Sequence, residues 1–262
     1  MRISGFFYEQ ICFEIILKQI FINMEIFNSQ GKNVTKSGVL LQTKSFSSLL
    51  FSCSLDVESL TTEQIKVEVE RKSGNLEITK GFMPLLDFIL LTTFNDDAVT
   101  ADANFKTLAV CEIAEDGYIY LDEKDNIKVE LQGLKTAETY VLNTIEEPQV
   151  SEKVLFFENK SMGSDDKDKN FEIDHCDLAL LDNSDDITEV AYTFMNDAVV
   201  KYTLHELRCL SRQVDPVAYI RQDGTTKSGF TKKIQIPLFG VKSINIRKAQ
   251  GNIVNLLCRI EA

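Results

Sequence analysis

The chain matches itself. DNIKVELQGLKTAET (Asp125–Thr139) is answered from Lys232 by KKIQIPLFGVKSINI, pairing Ile127 with Ile234, Leu131 with Leu238, Gly133 with Gly240 and Lys135 with Lys242, always 107 residues apart. The offset also holds upstream, where Asp116–Gly117 corresponds to Asp223–Gly224. Self-similarity over this span predicts two copies of one structural unit, with Ile127 superposing on Ile234 and Gly133 on Gly240. Further upstream the spacing widens to 125 for Ile65 with Val190 and 121 for Leu86 with Leu207, as loops of unequal length allow.

The dominant local pattern is two-residue alternation, the mark of strands with one buried face. QIKVEVER sets Ile65, Val67 and Val69 against Lys66, Glu68 and Glu70, and GYIYLD, NIKVEL and KKIQIPL alternate similarly. GVLLQTK, FSSLLFSCSL, TLAVCEIA, KVLFFEN, DLALL and NIVNLLCRI are short apolar runs suited to a sandwich core, and KSGN, EDG, NSDD and QDG are turn clusters between strands. Two helices interrupt the pattern. Pro84 opens one carrying Leu85, Leu86, Ile89 and Leu90. Thr203 and Glu206 form a capping box ahead of Leu204, Leu207 and Leu210 in the other.

Each half then holds about eight strands and one helix, with a break at Pro148 in the polar run TIEEPQVSEK. This predicts an all-β chain of two tandem eight-stranded jelly-roll sandwiches with short inserted helices and an N-terminal arm or helix. The expected boundaries are 1–35 for the arm, 36–147 for the first roll and 148–262 for the second. With 262 residues, 44% of them hydrophobic, the chain can bury two cores.

A formal net charge of −12 argues against direct binding to nucleic acid. The six cysteines show neither CxxC pairs nor zinc spacing, and most sit among apolar neighbours as buried thiols do. The first 23 residues, MRISGFFYEQICFEIILKQIFIN, are strongly apolar, but Glu9, Glu14 and Lys18 interrupt them, which fits neither a membrane span nor a cleaved signal. Phe6, Phe7, Ile11, Phe13, Ile15, Ile16, Leu17, Ile20 and Phe21 would lie all round a helix, so such a segment needs cover on every side. The expectation is an arm against a membrane or a neighbouring subunit; the rival is that translation starts at Met24.

Residues with reactive side chains are few. His175 and Cys176 are adjacent, so on a strand they face opposite ways and share no pocket, and His205 falls on a helix surface. No phosphate loop or nucleophile elbow is present, and no catalytic residue is assigned. In GSDDKDKNFE, Asp166, Asp168 and Asn170 alternate as at the start of a calcium loop, although Phe171 stands where that loop needs glycine. The one metal reading is therefore a loose calcium site among the acidic loops of Asp165, Asp166, Asp168, Asp185 and Asp186, with a solvated acidic surface as the alternative. No other cofactor is expected.

The stretch SLTTEQIKVEVERKSGNLEITKGFMPLLDFIL resembles the corresponding part of corticovirus major capsid proteins. It has a T-x-x-Q-I entry at Thr61–Ile65, an alternating strand through Val67 and Val69, a turn at Ser73–Asn75 and an Asp-Leu-rich helix through Leu86–Leu91. The wider group is the double jelly-roll capsid proteins of tailless, membrane-containing icosahedral bacteriophages, finnlakeviruses included. The resemblance implies a structural protein of the virion, assembled in the host cytoplasm. It implies a homotrimer whose six rolls make a pseudo-hexagonal tile, touching neighbouring capsid trimers, penton or minor capsid proteins and an internal membrane near the N-terminus. The rival reading is a two-domain β-sandwich binding module, such as a receptor-binding spike or a carbohydrate-binding protein. That module should show an exposed aromatic cluster, and the sequence reading expects none.

Overall fold

The computed structural model describes residues 22–93, 99–115, 117–151, 153–213, 218–220, 226–228 and 232–261. The first half contributes β1 (Ile22–Asn28), β2 (Lys36–Gln42), β3 (Ser48–Cys53), β4 (Gln64–Glu70), β5 (Leu76–Glu77), β6 (Met83–Pro84), β7 (Thr107–Glu112), β8 (Ala114–Glu115), β9 (Asn126–Gln132) and β10 (Tyr140–Glu146). The second contributes β11 (Lys153–Met162), β12 (Asp168–Glu172), β13 (Cys176–Asp182), β14 (Ile187–Phe194), β15 (Val199–Tyr202), β16 (Ala218–Ile220), β17 (Thr226–Ser228), β18 (Lys233–Pro237), β19 (Val241–Lys248) and β20 (Val254–Glu261).

Strand order establishes the architecture. In the first half one sheet runs β1-β10-β3-β7 and the other β2-β9-β4-β5; in the second, the main paths are β11-β20-β13-β18 and β12-β19-β14-β15. If the eight principal strands of each half are lettered B to I along the chain, both halves read B-I-D-G on one sheet and C-H-E-F on the other. Each half is a jelly roll, and the two are topological copies. In each, one helix joins strand F to strand G: Leu85–Thr92 in the first roll and Leu204–Gln213 in the second.

Alternation makes the sheets amphipathic as expected. Ile65, Val67 and Val69 of β4 and Ile127, Val129 and Leu131 of β9 are buried and paired in register, Ile65 with Leu131 and Val67 with Val129. Glu68 departs from the pattern: it is buried and held by Lys66 at 2.7 Å.

Two expectations are corrected. The 107-residue match does not join equivalent places. Ile127 lies on strand H of its roll and Ile234 on strand G, while Gly133 follows H and Gly240 precedes it. Ile65 and Val190 do share strand E, and their cross-strand partners Leu131 and Ile246 place the two H strands 115 residues apart. The false match arises because both segments are alternating strands that end in a left-handed glycine, φ 72° at Gly133 and 74° at Gly240. The second correction concerns the arm. Ile22–Asn28 is strand B of the first roll, hydrogen-bonded to β10, so the roll begins before residue 36. The apolar segment 1–21 lies outside the described residues.

Candidate assembly surfaces

The two F–G helices have different sequences and different surroundings. LLDFILLT is apolar on nearly every side, and all eight of its residues are buried. Part of its cover comes from the other roll: Leu155, Phe157, Leu178, Leu180 and Leu257 share one core with Phe88, Ile89 and Leu91. The rings of Phe88 and Phe157 meet edge to face at 5.3 Å. β13 is therefore buried on both faces, with Leu178 and Leu180 against the first roll and Ala179 and Leu181 in its own core.

Polar groups fix this junction. Lys233 on β18 reaches Asp87 of the first helix at 3.0 Å and Asp182 on β13 at 2.8 Å. Asp87 is only 2% exposed. Burial pushes its carboxyl above the usual range, against the pull of Lys233. Burial also works against the charge on Lys233, but Asp87 and Asp182 outweigh it and hold the ammonium above the ordinary lysine value. Arg259 on β20 grips Asp177 at 3.0 Å and donates to the Leu91 carbonyl at 3.0 Å, a cation at the C-terminal end of the helix. The backbones join as well. Phe157 donates its N–H to the Ile78 carbonyl and accepts from Lys80, while β8 pairs with the start of β11. The F–G side of the first roll is thus seated on the B edge of the second.

Among the described residues the F–G side of the second roll has no such cover. Its helix is amphipathic, with Leu204 and Leu207 buried, and the capping box forms as expected: Thr203 N–H to Glu206 at 2.7 Å and Glu206 N–H to Thr203 Oγ1 at 3.3 Å. Leu210 is 38% exposed, and Phe239, at the turn between β18 and β19, is 94% exposed. Between them runs an open groove of about 300 Å³ lined by Tyr192, Phe194, Tyr202, Leu207, Leu210 and Phe239. The Tyr192 and Tyr202 rings pack edge to face at 5.3 Å. Of these rings only Phe239 is exposed; Tyr192 belongs to the core of the second roll, and Phe194 and Tyr202 are half-buried against it.

Each acidic residue considered for calcium has a hydrogen-bond partner of its own. Asp166 accepts from the Gly163 N–H, Asp165 from Gln250, Asp185 from Arg208 and Asp186 from Asn252. Asn245 and Arg247 bind Asp168 and hold its carboxyl below the usual range. Among the described residues no three His, Cys, Asp or Glu side chains form a group able to hold a metal ion. His175 is exposed beside Asp174, whereas Cys176 turns into the core, so the two do not share a pocket. His205 lies on the outer face of the second helix.

Sequence reasoning passed over Lys233, Asp87, Asp177 and Arg259. For Asp87 and Arg259 the signal was a lone charge in an otherwise apolar run, LLDFILLT and NLLCRI, which implies a buried partner elsewhere in the chain; Lys233 and Asp177 carried no such signal.

No family model matches the chain, and no curated protein matches it in sequence. Among solved structures it is similar to the major capsid protein P2 from Bacteriophage PM2, at 9% identity over 93% of this chain and 96% of that chain, with a TM-score of 0.48. It is similar to the mavirus major capsid protein at 7% identity over 93% and 87%, with a TM-score of 0.37. It is similar to the PBSX exported protein XepA at 10% identity over 92% and 86%, with a TM-score of 0.25. At such identities the doubled jelly roll rests on this chain's own strand orders.

Proposed function

We propose that the chain is a shell-building structural protein, a viral major capsid protein without catalytic activity. The observation that carries this reading is that two rolls of identical strand order are locked side by side, the F–G side of the first against the B edge of the second. A chain of this design presents two similar wedges, and three copies supply the six wedges of a pseudo-hexagonal tile. The corticovirus-like stretch Ser59–Leu90 supports the same reading. On it the partners are two further copies in a homotrimer, neighbouring trimers, penton or minor capsid proteins and, through the apolar N-terminal segment, an internal membrane. The charge of −12 speaks against contact with the genome. Light scattering on the purified chain over rising concentration tests the core of the proposal, with trimers of hexagonal outline in negative stain as the expected result. A chain that stays monomeric at high concentration, with and without lipid vesicles, overturns it. Flotation with anionic vesicles tests the membrane contact, and deletion of residues 1–20, which spares β1, should abolish co-flotation.

The aromatic groove of the second roll favours one other reading, a two-domain binding module. On that reading a soluble glycan or peptide binds the monomer and quenches tyrosine fluorescence. On the shell reading the groove closes only on assembly.

A further inference from the structure

The second helix, Leu204–Gln213, carries an imidazole and a thiol on one face. His205 and Cys209 stand four positions apart, so one lies a turn above the other. Both side chains are exposed, and the Cys209 Sγ is 3.9 Å from the His205 Nε2. The rest of the helix is committed elsewhere. Leu204 and Leu207 are buried in the core of the second roll, Thr203 and Glu206 cap the first turn, and Arg208 reaches Asn183 and Asp185. Cys209 differs in this from Cys53, Cys111, Cys176 and Cys258, which are all buried.

We infer that His205 and Cys209 form a binding site for one borderline-soft divalent cation, zinc being the type. The separation of the two atoms is the argument. Zinc holds an imidazole nitrogen at about 2.0–2.1 Å and a thiolate sulfur at about 2.3 Å in tetrahedral geometry, which sets the two ligand atoms of one site about 3.6 Å apart. At 3.9 Å the pair is already close to that bite, and a single helical turn fixes both backbones. The ligand types select the ion: imidazole and thiolate suit zinc, whereas calcium and magnesium take oxygen. On binding, the Nε2 lone pair goes to the metal while the ring proton stays on Nδ1. The Cys209 S–H bond breaks, its electron pair goes to the metal, and its proton goes to solvent. Among the described residues no group of three His, Cys, Asp or Glu could hold a metal, so the two remaining positions fall to water. The site is therefore open, and the ion exchanges without unfolding the chain. The inference does not rest on the shell reading.

Cobalt(II) takes the same ligands as zinc and reports them by its absorption, so it is the probe. The full chain is stripped of metal with a chelator, kept reduced with a phosphine and titrated with cobalt chloride without oxygen. A thiolate-to-cobalt charge-transfer band should grow in the near ultraviolet, saturate at one ion per chain and vanish when zinc is added. Cys209→Ser should abolish the band. His205→Ala should weaken binding by more than the ~10-fold that loss of an outer-shell partner costs. Neither variant should shift the melting of the metal-free chain, because both side chains are exposed. Zinc should also slow the alkylation of Cys209 by iodoacetamide, read by peptide mass spectrometry. A wild type that gives no band overturns the site. A band that survives Cys209→Ser overturns it too, since the sulfur then lies elsewhere, as does a His205→Ala variant that binds as tightly as the wild type. Saturation at half an ion per chain would assign the ion to two copies together and would equally overturn a site made by one helix.

Discussion

Lys233 and Asp87 lie 146 positions apart in the chain and 3.0 Å apart in space, and they join strand G of one roll to the F–G helix of the other. With Asp182 at 2.8 Å they form a triad of one cation and two carboxylates in which Asp87 is buried and Lys233 and Asp182 are half-buried. Removing the cation strands Asp87 in an apolar junction, where one of its oxygens already lacks a partner. Lys233→Met should therefore lower stability by about 3–5 kcal/mol in denaturant unfolding. The double variant Asp87→Leu, Lys233→Met should recover most of that loss, since well-packed apolar groups replace a buried pair at little cost. Equal stability of the single and double variants would contradict this account. The raised value of Lys233 sets the pH sign: its contribution is present below the ordinary lysine value and is lost as pH rises through the higher folded value.

Tyr140 donates its hydroxyl to Glu63 at 2.7 Å inside the first roll. Burial favours the neutral acid at Glu63, but the Tyr140 hydroxyl, the Thr62 N–H and Lys135 outweigh it and hold the carboxyl below its ordinary value. Tyr140→Phe should cost about 1.5–3 kcal/mol at neutral pH, the value of a hydrogen bond to a charged group. A depressed carboxylate contributes stability above its unfolded value and loses it as pH falls through the folded one. The gap between wild type and variant should therefore narrow on acidification, measured as unfolding midpoints from pH 7 down to the acid limit of folding. A gap constant with pH would mean that Glu63 is not the partner that matters.

The fold was legible because β structure announces itself at short range. Ile65, Val67 and Val69 mark a half-buried strand by alternation alone, and Thr203 with Glu206 marks a helix start by two residues. Equivalence between distant strands was not legible. NIKVELQG and IQIPLFG share alternation and a terminal glycine, which are local properties, while membership of strand H or G depends on which distant strand pairs with them. The junction between the rolls was half legible. A strand buried on both faces reads as a continuous apolar run, as DLALL does, and a helix apolar all round must be covered. That the cover is the other roll, and that the amphipathic second helix leaves its side open, follows only from three-dimensional packing.

Gly133 and Gly240 supply a direct test of the distinction between two matching sequences. Both adopt left-handed backbone, but a Cβ at Gly133 would fall 2.0 Å from the Thr62 carbonyl oxygen, while one at Gly240 meets nothing within 4 Å. Gly240→Ala should cost only the left-handed penalty of about 1–2 kcal/mol. Gly133→Ala adds a backbone clash and should lose clearly more than Gly240→Ala, or fail to fold. Thermal melts of the two variants side by side settle the order, and equal losses would count against the close approach of Thr62 to Gly133.

The last prediction concerns cooperativity. The core that contains the first helix takes Leu155, Phe157, Leu178, Leu180 and Leu257 from the second roll, so neither roll can leave the other without wetting a helix that has no polar face. Phe157→Ala should cost about 3–5 kcal/mol, as deletion of a buried aromatic does, and its effect should reach both rolls. The chain should therefore unfold in one transition, seen alike by far-UV circular dichroism and by tyrosine fluorescence, although it is built from two repeated units. Residues 22–147 and 153–262 expressed separately should each be aggregation-prone, because one exposes the first helix and the other exposes Phe157 and the outward leucines of β13. Produced together, they should associate and purify as a pair. Two separated transitions, or a soluble and monomeric first half, would show that the rolls are independent and that the shared core contributes little to holding them.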